Sequence, residues 1–389
     1  MRKIISLLKY NLTFQIYYSA DQLPTNWDSL SNDNLFLSKE YMQILEKSAP
    51  KNMECYFIGL FKEDELVGIA LSQYINLNKL ESFGERDRCI KTFIRNFLFK
   101  RYSSQVLLIG NNMLTGQNSF SFSANIETKT GLETLKKAAE NLVASLKNKG
   151  IKTHLLSFKD FYESDNESFK KAGFKDYYWF STQPNMVFTI DENWHSEQDY
   201  IHAFSKKYRD QYKRARKKAE GVVKKKMHLE DIIKQEETIY ELYFHVAKNA
   251  YFNTFFLAKN HFRVLKEILK DKFLFYGYFQ DEKLIGFNTL IKNGTTMDTY
   301  FLGYDESVQR EKMLYLNMLY DMVAYSINKG FKEIVFARTA LEIKSSIGAK
   351  PQQMYGYIKH ENRFIDSKIE KIFNYLEPTV HWKERNPFK

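Results

Sequence analysis

Two stretches of this chain carry one pattern. Residues 56–74 read YFIGLFKEDELVGIALSQY, and residues 275–291 read FYGYFQDEKLIGFNTLI. Each is a pair of apolar, aromatic-rich runs joined by a short acidic turn, which is the signature of a β-hairpin. The order of elements after each hairpin is also shared. A strand leads to a long helix ending in Lys-Gly (Lys149-Gly150, Lys329-Gly330), then a strand, a short helix closed by glycine (Gly173, Gly348) and a last strand. A period of roughly 180 to 220 residues is too long for a solenoid. The 389 residues therefore read as two α/β halves, 1–192 and 193–389, each a mixed sheet flanked by helices.

The remaining elements fit around the repeat. In the first half a strand is expected over Phe14–Tyr18, and a helix over Ser38–Lys47 with Ser38 as N-cap. A basic, aromatic helical segment follows at Arg86–Arg101, a buried strand at Gln105–Gly110, an amphipathic helix at Thr130–Lys149 and a strand at Ile151–Phe158. In the second half a helical region runs from Ser196 to about Glu220, then a strand-like piece around Val222–Lys226, with helices at Asp231–Ala250 and Ala258–Lys270. Beyond the hairpin come a strand at Thr295–Tyr304, a helix at Ser307–Asn328 and a strand at Glu333–Ala337.

Charge singles out one further stretch. Ser205–Lys226 holds eleven Lys or Arg against two acidic residues, and so carries nine of the chain's net +11. Local charge of this kind points to an anionic partner at one face, either a phosphorylated ligand or an anionic membrane surface. On a helix, Lys206, Arg209, Lys213, Arg216 and Lys217 fall on one broad face, with Lys207, Arg214 and Lys218 at its rim. Tyr208, Tyr212 and Ala215 make the opposite, packing face. Two cysteines, Cys55 and Cys89, without a CxxC or Cys/His ligand spacing argue against a disulfide framework or a metal site, and for a cytoplasmic setting. No apolar window is long enough to span a bilayer, and the N-terminal MRKIISLLKYNLTFQIYY reads as a lead-in to the first strand.

The repeated unit resembles the acetyltransferase-like (acyl-CoA N-acyltransferase, GNAT) fold. Two tandem copies, the second opened by a basic helix within 205–226, look like the FemAB-like acyltransferases. The residues that carry the resemblance are Gly110-Asn111 with Leu114-Thr115-Gly116, the runs Ser205–Arg209 and Arg214–Lys218, and Tyr300–Tyr304. Arg338–Ser346 and Trp382–Phe388 complete it. It implies transfer of an acyl or aminoacyl group onto an amine of a phosphorylated or envelope-related acceptor, without a metal. Acetyl-CoA-binding members carry a glycine-rich pyrophosphate loop, where this chain reads Gln309-Arg310-Glu311-Lys312-Met313-Leu314. Acyl-CoA, acyl carrier protein and aminoacyl-tRNA thus stay open as donors. The rival reading is a catalytically silent module that docks nucleic acid or anionic membrane through the basic helix.

Ligands of open α/β sheets gather at the carboxyl ends of strands. Arg338 and Glu342 follow the strand Glu333–Ala337 directly and are the expected substrate-facing pair. The resemblance implies a tyrosine general acid, with Tyr300 and Tyr304 as the candidates. Lys206, Lys207, Arg209, Lys213, Arg214 and Lys217 would meet phosphate at a cleft between the halves. Asn253 with Phe256 would line an acceptor pocket, and Ser345 and Ser346 would bind substrate or cap a helix.

Overall fold

The computed structural model describes residues 12–80, 101–249, 253–376 and 382–389. Apart from Arg101, the segment Arg86–Arg101 lies outside these residues, as do Cys89 and the lead-in 1–11. The first half contributes strands β1 (Thr13–Tyr17), β2 (Met53–Lys62), β3 (Glu65–Asn76), β4 (Gln105–Ile109), β5 (Phe120–Phe122), β6 (Leu155–Phe161) and β7 (Tyr178–Thr189). The second contributes β8 (Val223–Lys226), β9 (Phe273–Gln280), β10 (Lys283–Asn293), β11 (Thr296–Thr299), β12 (Gly303–Tyr304), β13 (Glu333–Ala337) and β14 (Lys350–His360).

Both repeated hairpins form, as β2–β3 and β9–β10. The turn residues Asp281 and Glu282 both take positive φ, the pattern of a type I′ turn, whose twist matches that of the flanking strands. Glu63 does so at the first turn position of the other hairpin. Ser38 caps the helix Lys39–Ser48 by accepting from the Tyr41 amide, and Gly150 ends the helix Thr128–Asn148 at a φ of 77°.

The strands make one continuous sheet in the order β1-β2-β3-β4-β6-β14-β7-β13-β11-β10-β9-β8, with β5 beside β3 and β12 beside β10. Two strand pairs are parallel, β4–β6 and β11–β13, one in each half. Between them the halves interleave: β14 lies between β6 and β7, and β7 lies between β14 and β13. Three antiparallel steps separate β6 from β13, so these two strands run in opposite senses. Their carboxyl ends point at each other across the β14–β7 pair. Each end carries a β-bulge, with Asp160 at a φ of 66° and Ala337 at 58°.

Three apolar layers follow from the alternation along these strands. One lies under the helix Thr128–Asn148 on the first half, with Leu135, Leu142, Phe158 and Phe174. Another lies under the helix Leu314–Asn328 on the second, with Phe188, Met297, Tyr320 and Phe336. The third is shared, packing Trp27, Phe36, Tyr41 and Phe57 with Phe262, Phe275, Phe287 and Tyr300. Burial of such aromatic side chains favours the joining of the halves, beside the strand pairing that crosses them.

Several expected elements divide, among them the helical region from Ser196 at Phe204–Ser205 and the helix from Asp231 at Gln235. The strand over Thr295–Tyr304 is interrupted at Tyr300–Leu302, and resumes at Gly303 as β12. There the helix Glu236–Ala247 comes so close that a Cβ on Gly303 would lie 2.5 Å from Leu242 and Tyr243 backbone atoms. The helix over Ser307–Asn328 divides at Met313, which takes a left-handed φ of 47°. Asn317 Nδ2 holds this break by donating to the carbonyls of Lys312, Met313 and Ala215. Of the basic stretch 205–226, the helix covers Lys206–Lys218; Gly221, at a φ of 83°, then turns the chain into β8, where a strand is expected around Val222–Lys226. Strand β8 closes one edge of the sheet with Lys224, Lys225 and Lys226, charges that discourage edge-to-edge pairing. Among the described residues no helix is long and apolar enough to cross a membrane, and no group of three or more His, Cys, Asp or Glu could hold a metal ion.

Candidate functional site

The parting of β11 from β13 places an acid. The parallel ladder ends at Asp298↔Val335, and beyond it β11 and β13 are no longer paired. Met297 faces the second half's own core, so alternation turns Asp298 and Tyr300 into the layer between the halves. Asp298 is buried, and its carboxylate accepts from Asn293 Nδ2 at 3.1 Å. Burial raises its pKa from the usual 3.8 to about 7, with Asn293 opposing and the Glu333 charge adding. A carboxyl poised near neutrality suits proton transfer.

Beside it runs a buried hydrogen-bond chain with one direction. Asn111 Nδ2 donates to the Tyr41 hydroxyl at 3.1 Å, and Tyr41 and Tyr300 are hydrogen-bonded. Tyr300 lies 2.9 Å from His261 Nε2, and His261 Nδ1 lies 3.0 Å from the Ser48 carbonyl. Burial takes the pKa of His261 down to about 4, so the ring is neutral at pH 7. A neutral ring beside the Ser48 carbonyl carries its proton on Nδ1, which leaves Nε2 to accept from Tyr300. Tyr300 therefore has its hydroxyl engaged in the inter-half layer. Tyr304 lies on the other face, half-buried, with its ring 6.2 Å from that of Tyr315.

Arg338 and Glu342 do not pair with each other. Arg338 crosses to the first half, where its guanidinium bonds the Asp160 carboxylate. It also donates to the Gln183 carbonyl at 3.1 Å and the Thr182 hydroxyl at 3.2 Å. Asp160 is held from behind by Lys159, whose ammonium also donates to the carbonyls of Asn111 (2.9 Å) and Leu114 (3.2 Å). Burial pulls the Lys159 amine down to about 8, against the opposing pull of Asp160. Glu342 pairs with Arg385 of the C-terminal tail, 2.9 Å from its Nε. Between them Lys344 is fully buried. Its amine donates to the carbonyls of Phe336 (2.6 Å), Arg338 (2.7 Å) and Ala337 (3.3 Å), and desolvation brings its pKa to about 7. These bonds fix a turn in which Ala337, Thr339 and Ala340 all have positive φ, a strained conformation for residues with a Cβ. Tyr162, just past β6 and 38% exposed, has its pKa raised by burial and then by Glu333, Asp165, Asp160 and Asp298. Its phenol is thus within electrostatic reach of both acids and keeps its proton.

The other expected site residues are scattered. Ser345 and Ser346 bond back to the carbonyls of Glu342 and Ile343, as helix-end serines do. Asn253 donates to the Ala247 carbonyl and caps the helix Glu236–Ala247. Phe256 packs against Phe244, with ring centres 5.1 Å apart and the planes tilted by 52°. Lys206, Lys207, Lys213, Arg214 and Lys217 are exposed and Arg209 half-buried, along a helix whose Tyr208 and Ala215 are buried. This helix is built into the second half's own core and does not sit between the halves. Arg216, expected among the outward cations, turns inward to Glu197 (2.8 Å) and Asp321 (2.7 Å), with its guanidinium 5.0 Å from the Tyr212 ring centre. Asp298, Tyr162, Lys159, Asp160 and Lys344 were not singled out from sequence. The legible signal was Lys159-Asp160, two charges inside the otherwise apolar run LLSFKDF. A cavity of about 650 Å³, lined by Arg101, Lys152, His154 and His360, lies at the amino ends of β4 and β6, away from all of these.

No protein-family model matches the chain, and no curated protein matches its sequence. Solved structures do. That of FemX aligns with 94% of this chain and 100% of its own, at 11% identity and a TM-score of 0.52. A tandem GNAT protein from the clavulanic acid biosynthesis pathway covers 90% of this chain and 99% of its own, at 9% identity and 0.49. L-PGS from Bacillus licheniformis covers 87% and 96%, at 11% identity and 0.47. Identity this low speaks to fold alone. The single mixed sheet, its two parallel strand pairs and its flanking helices form a FemAB-like, GNAT-type α/β fold, the fold of FemX.

Proposed function

We propose that the chain is an acyltransferase that moves an acyl or aminoacyl group onto an amine, with its reacting centre between β11 and β13. The observation that supports it most is Asp298: a buried carboxyl with a pKa near 7, placed where two parallel strands part. In this reading the amine attacks the acyl carbonyl and loses its proton to the Asp298 carboxylate. The tetrahedral oxyanion is met by Arg338, and collapse expels the donor's thiol or hydroxyl, protonated by the Tyr162 phenol. Tyr300, tied into its buried chain, holds the wall of the centre. Glu342 and Tyr304 take no part, the one paired with Arg385 and the other on the opposite face.

The exposed cations of the helix Lys206–Lys218 would contact phosphate on the acceptor or at a membrane. The halves 1–192 and 193–389 are the two GNAT-like units of this proposal, exchanging β7 and β14. Acyl-CoA is the first donor to test, with acyl carrier protein and aminoacyl-tRNA beside it. The test is transfer to an amine panel, followed by mass spectrometry. Product from at least one donor, lost in Asp298→Asn, is the expected result. No product from any donor, or full transfer by Asp298→Asn, refutes it.

A further inference from the structure

We propose that Asp160, a first-half residue, is the positioning residue for Arg338 of the second half, so that the reacting centre is assembled from both halves and neither carries it alone. The proposal rests on the acyl-transfer reading for the role of Arg338, but the contact it concerns stands apart from that role.

The internal repeat supplies the first argument. The parallel ladders end at Ile109↔Phe158 in one half and at Asp298↔Val335 in the other. Two residues beyond each pair, at the bulge, stand Asp160 and Ala337, both at positive φ. The two positions are equivalent, but only the first half has a carboxylate there. The second half has alanine, so its arginine finds its anion across the sheet.

The second argument is rigidity. Asp160 is 1% exposed and cannot swing: its own strand, the Lys159 ammonium and the loop carbonyls that anchor Lys159 enclose it. Gly110, at a φ of 137°, leaves the room that the Lys159 stem needs, since a Cβ there would sit 2.9 Å from Lys159 Cγ. Arg338 is fixed from three sides, by Asp160, by Thr182 and Gln183 of β7, and by the Lys344 grip on its own carbonyl. Its Nε and Nη2 are thereby engaged, while Nη1 has no partner among the described residues and the side chain stays 24% exposed. A guanidinium held on one edge and open on the other is oriented towards an incoming oxygen anion before that anion arrives.

The test is a double-mutant cycle with Arg338→Met, Asp160→Asn and the double variant of the full chain. It is read by urea unfolding and by transfer with any donor that passes the screen above. Coupling of about tenfold in the unfolding equilibrium constant is expected. In the transfer assay Asp160→Asn should lower kcat while KM stays within about twofold, with the double variant no slower than Arg338→Met alone, because groups acting as a unit are not additive. Additive unfolding energies, or normal kcat in Asp160→Asn, overturn the proposal. Should Asp160→Asn fail to fold, since it leaves the Lys159 ammonium without its counter-ion, Asp160→Glu keeps the charge and moves the carboxylate by one methylene. Loss of kcat with folding retained supports the positioning role, and unchanged kcat refutes it. If the native chain transfers from no donor, the acyl-transfer reading falls while the unfolding cycle still decides whether Asp160 holds Arg338.

Discussion

Replacing Asp298 with asparagine should make the protein more stable and less active at once. In the folded chain this carboxyl holds its proton up to about pH 7, whereas its ordinary value is 3.8. Between those values the native state has the proton and the unfolded chain has released it, so stability falls as pH rises, by about 1.4 kcal/mol per pH unit. Over the whole window the loss comes to about 4 kcal/mol, an upper bound for a carboxyl whose neighbours can relax. His261 runs the other way. Its pKa is lowered to about 4, so the unfolded chain binds the proton first, and stability is lost as pH falls from about 6.5 towards 4. The two effects oppose each other at acid pH in the native protein, but the difference between Asp298→Asn and native chain isolates the first. Urea unfolding of both at pH 5, 6, 7 and 8 is the assay. The variant should gain on the native protein steadily from pH 5 to pH 7 and level off near pH 8, while transfer is lost at every pH. A stability difference that stays flat across this range would show that Asp298 is ionised throughout, and would remove the basis for its role as proton acceptor.

Arg216→Ala should cost about 1 to 3 kcal/mol in urea unfolding, because it removes the cation that Glu197 and Asp321 share and leaves Asp321 with Lys224 at 3.6 Å, in a site that is only partly desolvated. Lys217→Ala, one residue on and exposed, should stay within about 0.5 kcal/mol, and equal losses for the two would refute the inward placement of Arg216. Gly303→Ala should destabilise by about 1 to 3 kcal/mol, as the new methyl meets the Leu242–Tyr243 backbone; an unchanged thermal midpoint would show that the helix can withdraw.

The local elements were legible because they are written in adjacent residues. An acidic dipeptide between apolar runs produced each hairpin, Ser38 marked a helix start, and Gly150 marked a helix end. What could not be read depends on neighbours far away in sequence. The wheel that put Arg216 with the outward cations knows its angle on the helix but not that Asp321 waits there, 105 residues later. Met313 breaks a helix without glycine because Asn317 catches the freed carbonyls. Arg338 was legible as the residue after a strand, but not its anion, which comes from the other half. Asp298 sits in a short run, TMDT, in which one carboxylate on a strand looks like surface until the layer opposite is known.

The interleaving of β14 with β7 also bears on how the chain can be made. A ribosome delivers β6 and β7 well over a hundred residues before the strand that fits between them. Until β14 emerges, β6 has an open edge and the first half cannot complete its sheet, however well its own helices pack. Pairings this distant in sequence form late and slowly, because a long loop must close before they contribute. Nascent chains stopped short of residue 350 should therefore be protease-sensitive along β6 and β7, and resistance should appear in one step once β14 is free to dock.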